Sequence, residues 1–223
     1  MAGMATQLSD ISAAEMRSAM IDSQLRTNDV IDPAVVAAMA AEPREAHVPA
    51  PLASVAYIDR AIDLGGGRYL NAPLVTGRML VEAAIRPGAR VLLIGAATGY
   101  GAALLARLGA EVHALEEDAA LIAAGRQATA SDAIRWIEGP LSAGVPDGAP
   151  FDRIIIDGAI EILPDAIADQ LAEGGKLVAA RREGAVVRLV QGVKAGGIVA
   201  LRPFADMDVA PLPGFEAPAG FRF

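Results

Sequence analysis

Three glycines and one acid carry the first chemical signal in this chain. Gly95, Gly99 and Gly101 follow the apolar run Val91-Leu92-Leu93-Ile94, and only the small residues Ala96, Ala97 and Thr98 separate the first two. Glycine lets a backbone turn sharply and lets a ligand come close to it. Glu116 stands at the carboxyl end of a second strand-like segment, Glu111 to Leu115. A strand, a glycine turn, a helix and a second strand ending in an acid make the first half of a nucleotide-binding α/β unit. The acid is then placed to accept hydrogen bonds from a ribose. The spacing is Gly-x-x-x-Gly-x-Gly rather than the dinucleotide fingerprint, which makes nicotinamide-dependent redox chemistry the weaker reading.

Composition removes several other chemistries. The 223 residues contain no cysteine, which excludes disulfides, thiolate metal sites and cysteine nucleophiles. His47 and His113 are the only histidines, so no metal site is expected. The formal net charge is -8, and Arg181-Arg182 is the only adjacent basic pair, which argues against a nucleic-acid partner. Charged residues such as Arg107 and Glu111 interrupt the most apolar region, so no membrane span is expected. The first residues, MAGMATQLSD, lack the basic start and apolar run of a signal peptide. A soluble, cytoplasmic protein is the expectation. Nothing in the sequence sets the oligomeric state.

The elements that would position the glycine turn can be read in order. Met1 to Ser9 reads as a loose leader. A helix follows from about Ile11, with Ser12 and Glu15 as a capping box. Asp32-Pro33 starts a second helix, Ala34 to Ala41. Ile62 to Leu64 and Tyr69-Leu70 form two short strands around Gly65-Gly66-Gly67. Leu74 to Ile85 is a helix. After the central strand, Ala102 to Leu108 and Asp118 to Gln127 are helices. Ile134 to Ile137, Phe151 to Asp157 and Lys176 to Ala180 are strands, with a loop at Leu141 to Pro150 and a helix at Leu163 to Leu171. Val186 to Gln191 and Ile198 to Phe204 form a final antiparallel pair. The pattern predicts a mostly parallel sheet with helices on both faces. Residues 1–88 form a helical and irregular addition, 89–210 the α/β domain and 211–223 a tail packed along the surface, all within one compact unit.

These segments resemble the protein-L-isoaspartate O-methyltransferases. The resemblance runs through MIDSQLRTNDVIDP, PREAHVP, AYIDRAIDLGGGRYLNAP, VLLIGAATGYGAALLARLGAEVHALEE and FDRIIIDGAIEILPDAIADQLAEGGKLV. It implies a Rossmann-like class I methyltransferase fold and S-adenosyl-L-methionine as cofactor. It also implies carboxyl methylation of isoaspartyl residues in damaged proteins as the reaction. Carried over position by position, Gly95, Ala96, Ala97, Thr98 and Gly99 would wrap the methionine part of the cofactor. Glu116, with Glu117 beside it, would take the ribose, Glu138 and Gly139 would lie near the adenine, and Asp157 would also contact the cofactor. Tyr69, Leu70, Asn71 and Pro73 would form the substrate-facing loop, with Asn71 donating to the substrate.

This sequence also departs from the family's pattern. Leu93 stands where an acid is usual, Ala97 replaces the middle glycine, and Asn71 replaces a serine. The small-residue stretch after the fourth strand reads Asp157-Gly158-Ala159-Ile160-Glu161. Ala97 would need a positive φ at a cost of ~1–2 kcal/mol. Asp157 and Glu161 place negative charge where a carboxylate must enter. A carboxylate nucleophile is already ionised at neutral pH, so the scarcity of histidine does not count against the reaction. Two other readings stay open: a non-catalytic relative that keeps the fold and acts by binding, or a methyltransferase with a different acceptor.

Overall fold

The computed structural model describes residues 12–129 and 131–217. The leader expected at Met1 to Ser9 and the end of the tail lie outside the described residues. The first helix, α1 (Ala13–Met20), is capped as its sequence predicts: the Glu15 N–H donates to Ser12 Oγ, and Glu15 Oε2 accepts from the Ser12 N–H. Asp32 caps α2 (Pro33–Ala41) by accepting from the N–H groups of Ala34 and Val35. Strands β1 (Ile62–Gly65) and β2 (Arg68–Leu70) form a separate antiparallel hairpin, and α3 (Pro73–Ala83) follows with proline at its first position.

The main sheet contains β3 (Arg90–Ile94), β4 (Glu111–Glu116), β5 (Ile134–Glu138), β6 (Phe151–Ile160), β7 (Leu171–Glu183), β8 (Val186–Ala195), β9 (Ile198–Val199) and β10 (Arg202–Asp206). Its order is β10-β8-β7-β6-β3-β4-β5, with β9 paired to β8. Strands β5, β4, β3, β6 and β7 are parallel, and β8 to β10 add antiparallel pairs. The middle strand of the parallel set, β3, is buried on both faces, which is why its sequence is an unbroken apolar run. Pleating sends Val91 and Leu93 to one core layer, with α3 and α4 (Tyr100–Arg107). It sends Leu92 and Ile94 to the other, with Phe151, Ile154 and Leu212. Helix α5 (Ala119–Ala128) starts on Asp118, whose carboxylate caps it. The chain runs from β3 to β4 on one side and returns through β6 on the other. The carboxyl ends of β3 and β4 therefore flank a topological switch point, where α/β sheets bind ligands.

Several regions differ from the sequence reading: the strand expected at Lys176 to Ala180 extends over Leu171–Glu183, and the one expected at Ile198 to Phe204 breaks into β9 and β10. The helix expected at Leu163 to Leu171 shortens to α6 (Asp165–Asp169), because Leu171 already pairs with Phe151 and opens β7. The tail does more than lie on the surface. Val209, Leu212 and Phe215 are buried, and Ala159 exchanges backbone hydrogen bonds with Ala210 and Leu212.

Candidate active site

The glycine loop leaves β3 through Gly95 (φ +80) and enters α4 at Gly99 (φ +86), with Ala97 at φ +48 between them. Ala97 is a left-handed residue that carries a Cβ, as its position in the loop required. The loop's amides point back into the protein. Gly95 and Ala96 both donate to the Leu115 carbonyl, Gly99 donates to Ala96, and the Ala97 N–H donates to Glu116 Oε2 at 2.7 Å. On the outer side Trp136 of β5 packs so closely that a Cβ at Gly99 would come within 2.9 Å of its ring. That contact, and a tighter one at Gly125, gives Trp136 a packing role.

Glu116 ends β4 as its spacing predicts, and it is fully buried. Besides Ala97, its carboxylate accepts from the N–H groups of Glu117 (2.9 Å) and Asp118 (3.2 Å) and from Arg68 Nη1. Arg68 is buried as well, so the two form an ion pair shut off from solvent. The sequence offered Arg68 as a counter-charge to Asp157 or Glu161; its pairing with Glu116 was not foreseen. A second acid holds the loop from the other side. His47 is buried, with Nδ1 2.8 Å from the Thr98 carbonyl and Nε2 2.9 Å from Glu42 Oε1. Thr98 Oγ1 donates to the His47 carbonyl, and Arg107 Nε donates to Glu42 Oε2 at 2.7 Å. Burial raises the Glu42 carboxyl pKa, but the bonds from His47 and Arg107 outweigh it and hold the group below its ordinary value. His113, in β4, stacks edge-on against Phe151, and burial lowers its pKa.

The stretch expected to face substrate is mostly buried. Leu70, Asn71 and Pro73 are covered, and only Tyr69 is exposed. Asn71 Nδ2 donates to Asp157 Oδ1 at 2.7 Å, and the Asn71 carbonyl accepts from Arg44 Nη2 at 2.5 Å. Arg44, wholly buried, also donates to the Ala56 carbonyl and lies over the Tyr100 ring at 4.9 Å. Burial raises the Asp157 pKa, and the Asn71 bond and the guanidinium groups of Arg68 and Arg44 oppose that shift. Asp157 and Leu93 line the same small void of about 10 Å³. An acid thus stands beside the apolar residue that fills the family's usual acid position. Glu117 and Glu138 are exposed at the strand ends, and Gly139 donates to the Glu116 carbonyl. Arg181 pairs with Glu183 along β7.

The arrangement places the sequence-read residues around one point but does not, in this conformation, fit S-adenosyl-L-methionine. Every oxygen contact of Glu116 named above is already with protein. A Cβ at Gly95 would lie 2.9 Å from Leu212 Cδ1 and 3.1 Å from Arg68 Nη2, so the face of the turn is covered. An open groove of about 720 Å³ lies alongside, lined by residues that include Asp59, Gly67, Tyr69, Pro211, Pro213 and Glu216. Among the described residues, no group of three or more His, Asp or Glu side chains could hold a metal ion, and no helix is long and apolar enough to cross a membrane.

Comparison with known proteins agrees with this architecture. The model of the family described as protein-L-isoaspartate(D-aspartate) O-methyltransferase matches residues 15–211. A protein-L-isoaspartate O-methyltransferase of Methylorubrum populi is 42% identical over 164 residues, covering 73% of this chain and 77% of the relative. One from Methanoculleus marisnigri is 36% identical over 201 residues, covering 89% and 91%. Among solved structures, a Plasmodium falciparum chain assigned to the same activity, in complex with S-adenosyl-L-homocysteine, aligns with a TM-score of 0.76 at 20% identity. That alignment covers 88% of this chain and 97% of the other. A second solved protein-L-isoaspartate O-methyltransferase aligns at 0.77 and 20% identity, over 89% of this chain and 66% of that one. At such identity these structures speak for the fold. The extent of the family match, with relatives above 40% identity, settles descent: the chain belongs to the protein-L-isoaspartate(D-aspartate) O-methyltransferase family.

Proposed function

We propose that this chain is an S-adenosyl-L-methionine-dependent carboxyl methyltransferase acting on isoaspartyl groups of damaged proteins, in the cytoplasm. The observation that carries the reading is the family match over residues 15–211, which includes the N-terminal segments as well as the nucleotide-binding half. Those segments supply Arg44, His47 and Asn71, which pack against the glycine loop and its surroundings rather than forming a separate unit. The work left to this protein is positional. It has to align an already ionised carboxylate and exclude water. In this reading Gly95 to Gly99, Glu116, Glu117, Glu138, Gly139 and Asp157 serve the cofactor, with Asp157 supplying the charge that Leu93 lacks. Tyr69 to Pro73 serve the substrate, and Asn71 is the donor to it.

The Arg68–Glu116 pair favours a second reading, a relative that has lost turnover and acts by binding. Incubation with methyl-labelled S-adenosyl-L-methionine and matched isoaspartyl and aspartyl peptides separates the two. Base-labile label on the isoaspartyl peptide alone supports the enzyme. No label on either, with a positive-control enzyme active in parallel, leaves the binding protein.

A further inference from the structure

Arg68 lies where a nucleoside's sugar belongs. Its guanidinium rests on the buried carboxylate at the end of β4, and its Nη2 and the Leu212 methyl groups cover the face of Gly95. We propose that Arg68 and Leu212 form an internal plug of the cofactor site, and that cofactor enters only when Arg68 leaves Glu116. The proposal rests on the reading of this chain as an S-adenosyl-L-methionine enzyme and adds a gate to it.

Three features of the surroundings suit a plug better than a permanent strut. Glu116 does not depend on Arg68, since three backbone N–H groups, of Ala97, Glu117 and Asp118, stay on its oxygens when the guanidinium departs. Ribose hydroxyls would donate to the same carboxylate and replace the lost bond. Arg68 also follows directly on Gly65, Gly66 and Gly67, all at positive φ (+90, +60 and +76). A Cβ at Gly65 or Gly67 would meet nothing within 4 Å. That run joins the two strands of a hairpin lying outside the main sheet, so β2 can turn without breaking the central ladder. Finally, both plugging side chains have neighbours on the open groove. Gly67 and Tyr69 flank Arg68, Pro211 and Pro213 flank Leu212, and all four line it. Asp59, Asp208 and Glu216 on the same walls offer a displaced guanidinium its counter-charge. A swing of the Arg68 side chain toward Gly67 and Tyr69 exchanges the buried position for the groove, with the Leu212 side chain giving way while its backbone keeps the bond to Ala159.

The test is calorimetric titration of the full chain with S-adenosyl-L-homocysteine, comparing wild type, Arg68→Gln and Leu212→Ala. Melting curves without ligand establish that each is folded. Both variants should bind at least about tenfold more tightly than wild type, the factor expected when the open form is roughly a tenth of the population. Equal affinity in all three overturns the plug and leaves the proposed methyltransferase standing. No heat from any of the three at millimolar ligand overturns the plug and the cofactor assignment together.

Discussion

Two buried glutamates hold the glycine loop from opposite sides, and they do so by different means. Glu42 works at one remove: it fixes His47, and His47 fixes the Thr98 carbonyl, while Arg107 braces Glu42 from a partly exposed position. Glu116 works directly, binding the Ala97 N–H with one oxygen and Arg68 with the other. In the first set the bonds interlock: Glu42 holds both His47 and Arg107, and His47 and Thr98 bond each other twice. In the second, Arg68 depends on Glu116, but Glu116 keeps backbone donors without Arg68. One assembly is therefore a fixed clamp, and the other carries a removable part at the site of chemistry.

Substituting each member in turn should expose that asymmetry. Glu116→Gln turns one carboxylate oxygen into an N–H group facing the buried donors of Ala97, Glu117 and Asp118, a loss of about 3 kcal/mol, the upper end for a buried hydrogen-bonding group left unpaired. At roughly 2–4 °C per kcal/mol for a chain of this size, a thermal melt should fall by about 10 °C. Arg68→Gln should cost much less, because the carboxylate it leaves behind is still hydrogen-bonded. Equal losses would remove the distinction between clamp and plug.

The Glu42 side should show a loss of about 1–3 kcal/mol for Glu42→Gln, the range for a buried partner left unpaired. It should also show a pH signature. The folded-state pKa of Glu42 is depressed below 4.5, so its contribution is fully present above that pH and is lost as pH falls through the lower folded value. Melting temperature against pH should fall less steeply in acid for Glu42→Gln than for wild type.

Asp157 should behave in the opposite sense and more weakly. Its folded pKa is raised, so its favourable contribution is complete below 3.8 and disappears as pH rises through the folded value. Asp157→Asn, which keeps an acceptor for Asn71, should raise the melting temperature at neutral pH, and the gain should shrink toward acid. The smallest effect belongs to Ala97→Gly. Relief of the left-handed conformation, ~1–2 kcal/mol, is offset in part by glycine's larger entropy loss, about 0.5–1 kcal/mol, and a slight net stabilisation is expected in a denaturant melt.

Much of this was legible in the chain because its signals are local. The apolar run at 91–94, the acid at 116 and the caps at Ser12 and Asp32 each specify structure within a few residues. Ala97 was readable too, since its place in a glycine turn demanded positive φ. The pairing of Arg68 with Glu116 was not. Arg68 sits in GGGRYLN as one cation after three glycines, and its partner lies 48 residues away. The same holds for His47, 51 residues from Thr98, and for Leu212, whose proline-rich context reads as surface. Side chains that close a site from distant segments leave no periodicity behind. The resemblance supplied roles for the loop, but it could not show that this chain's own residues fill it.

A crystal structure of the chain grown with S-adenosyl-L-homocysteine tests the central claim most directly. The ribose should lie on Glu116, with the Arg68 guanidinium displaced toward the groove lined by Tyr69 and Pro211. A bound nucleoside beside an intact Arg68–Glu116 pair would contradict the account.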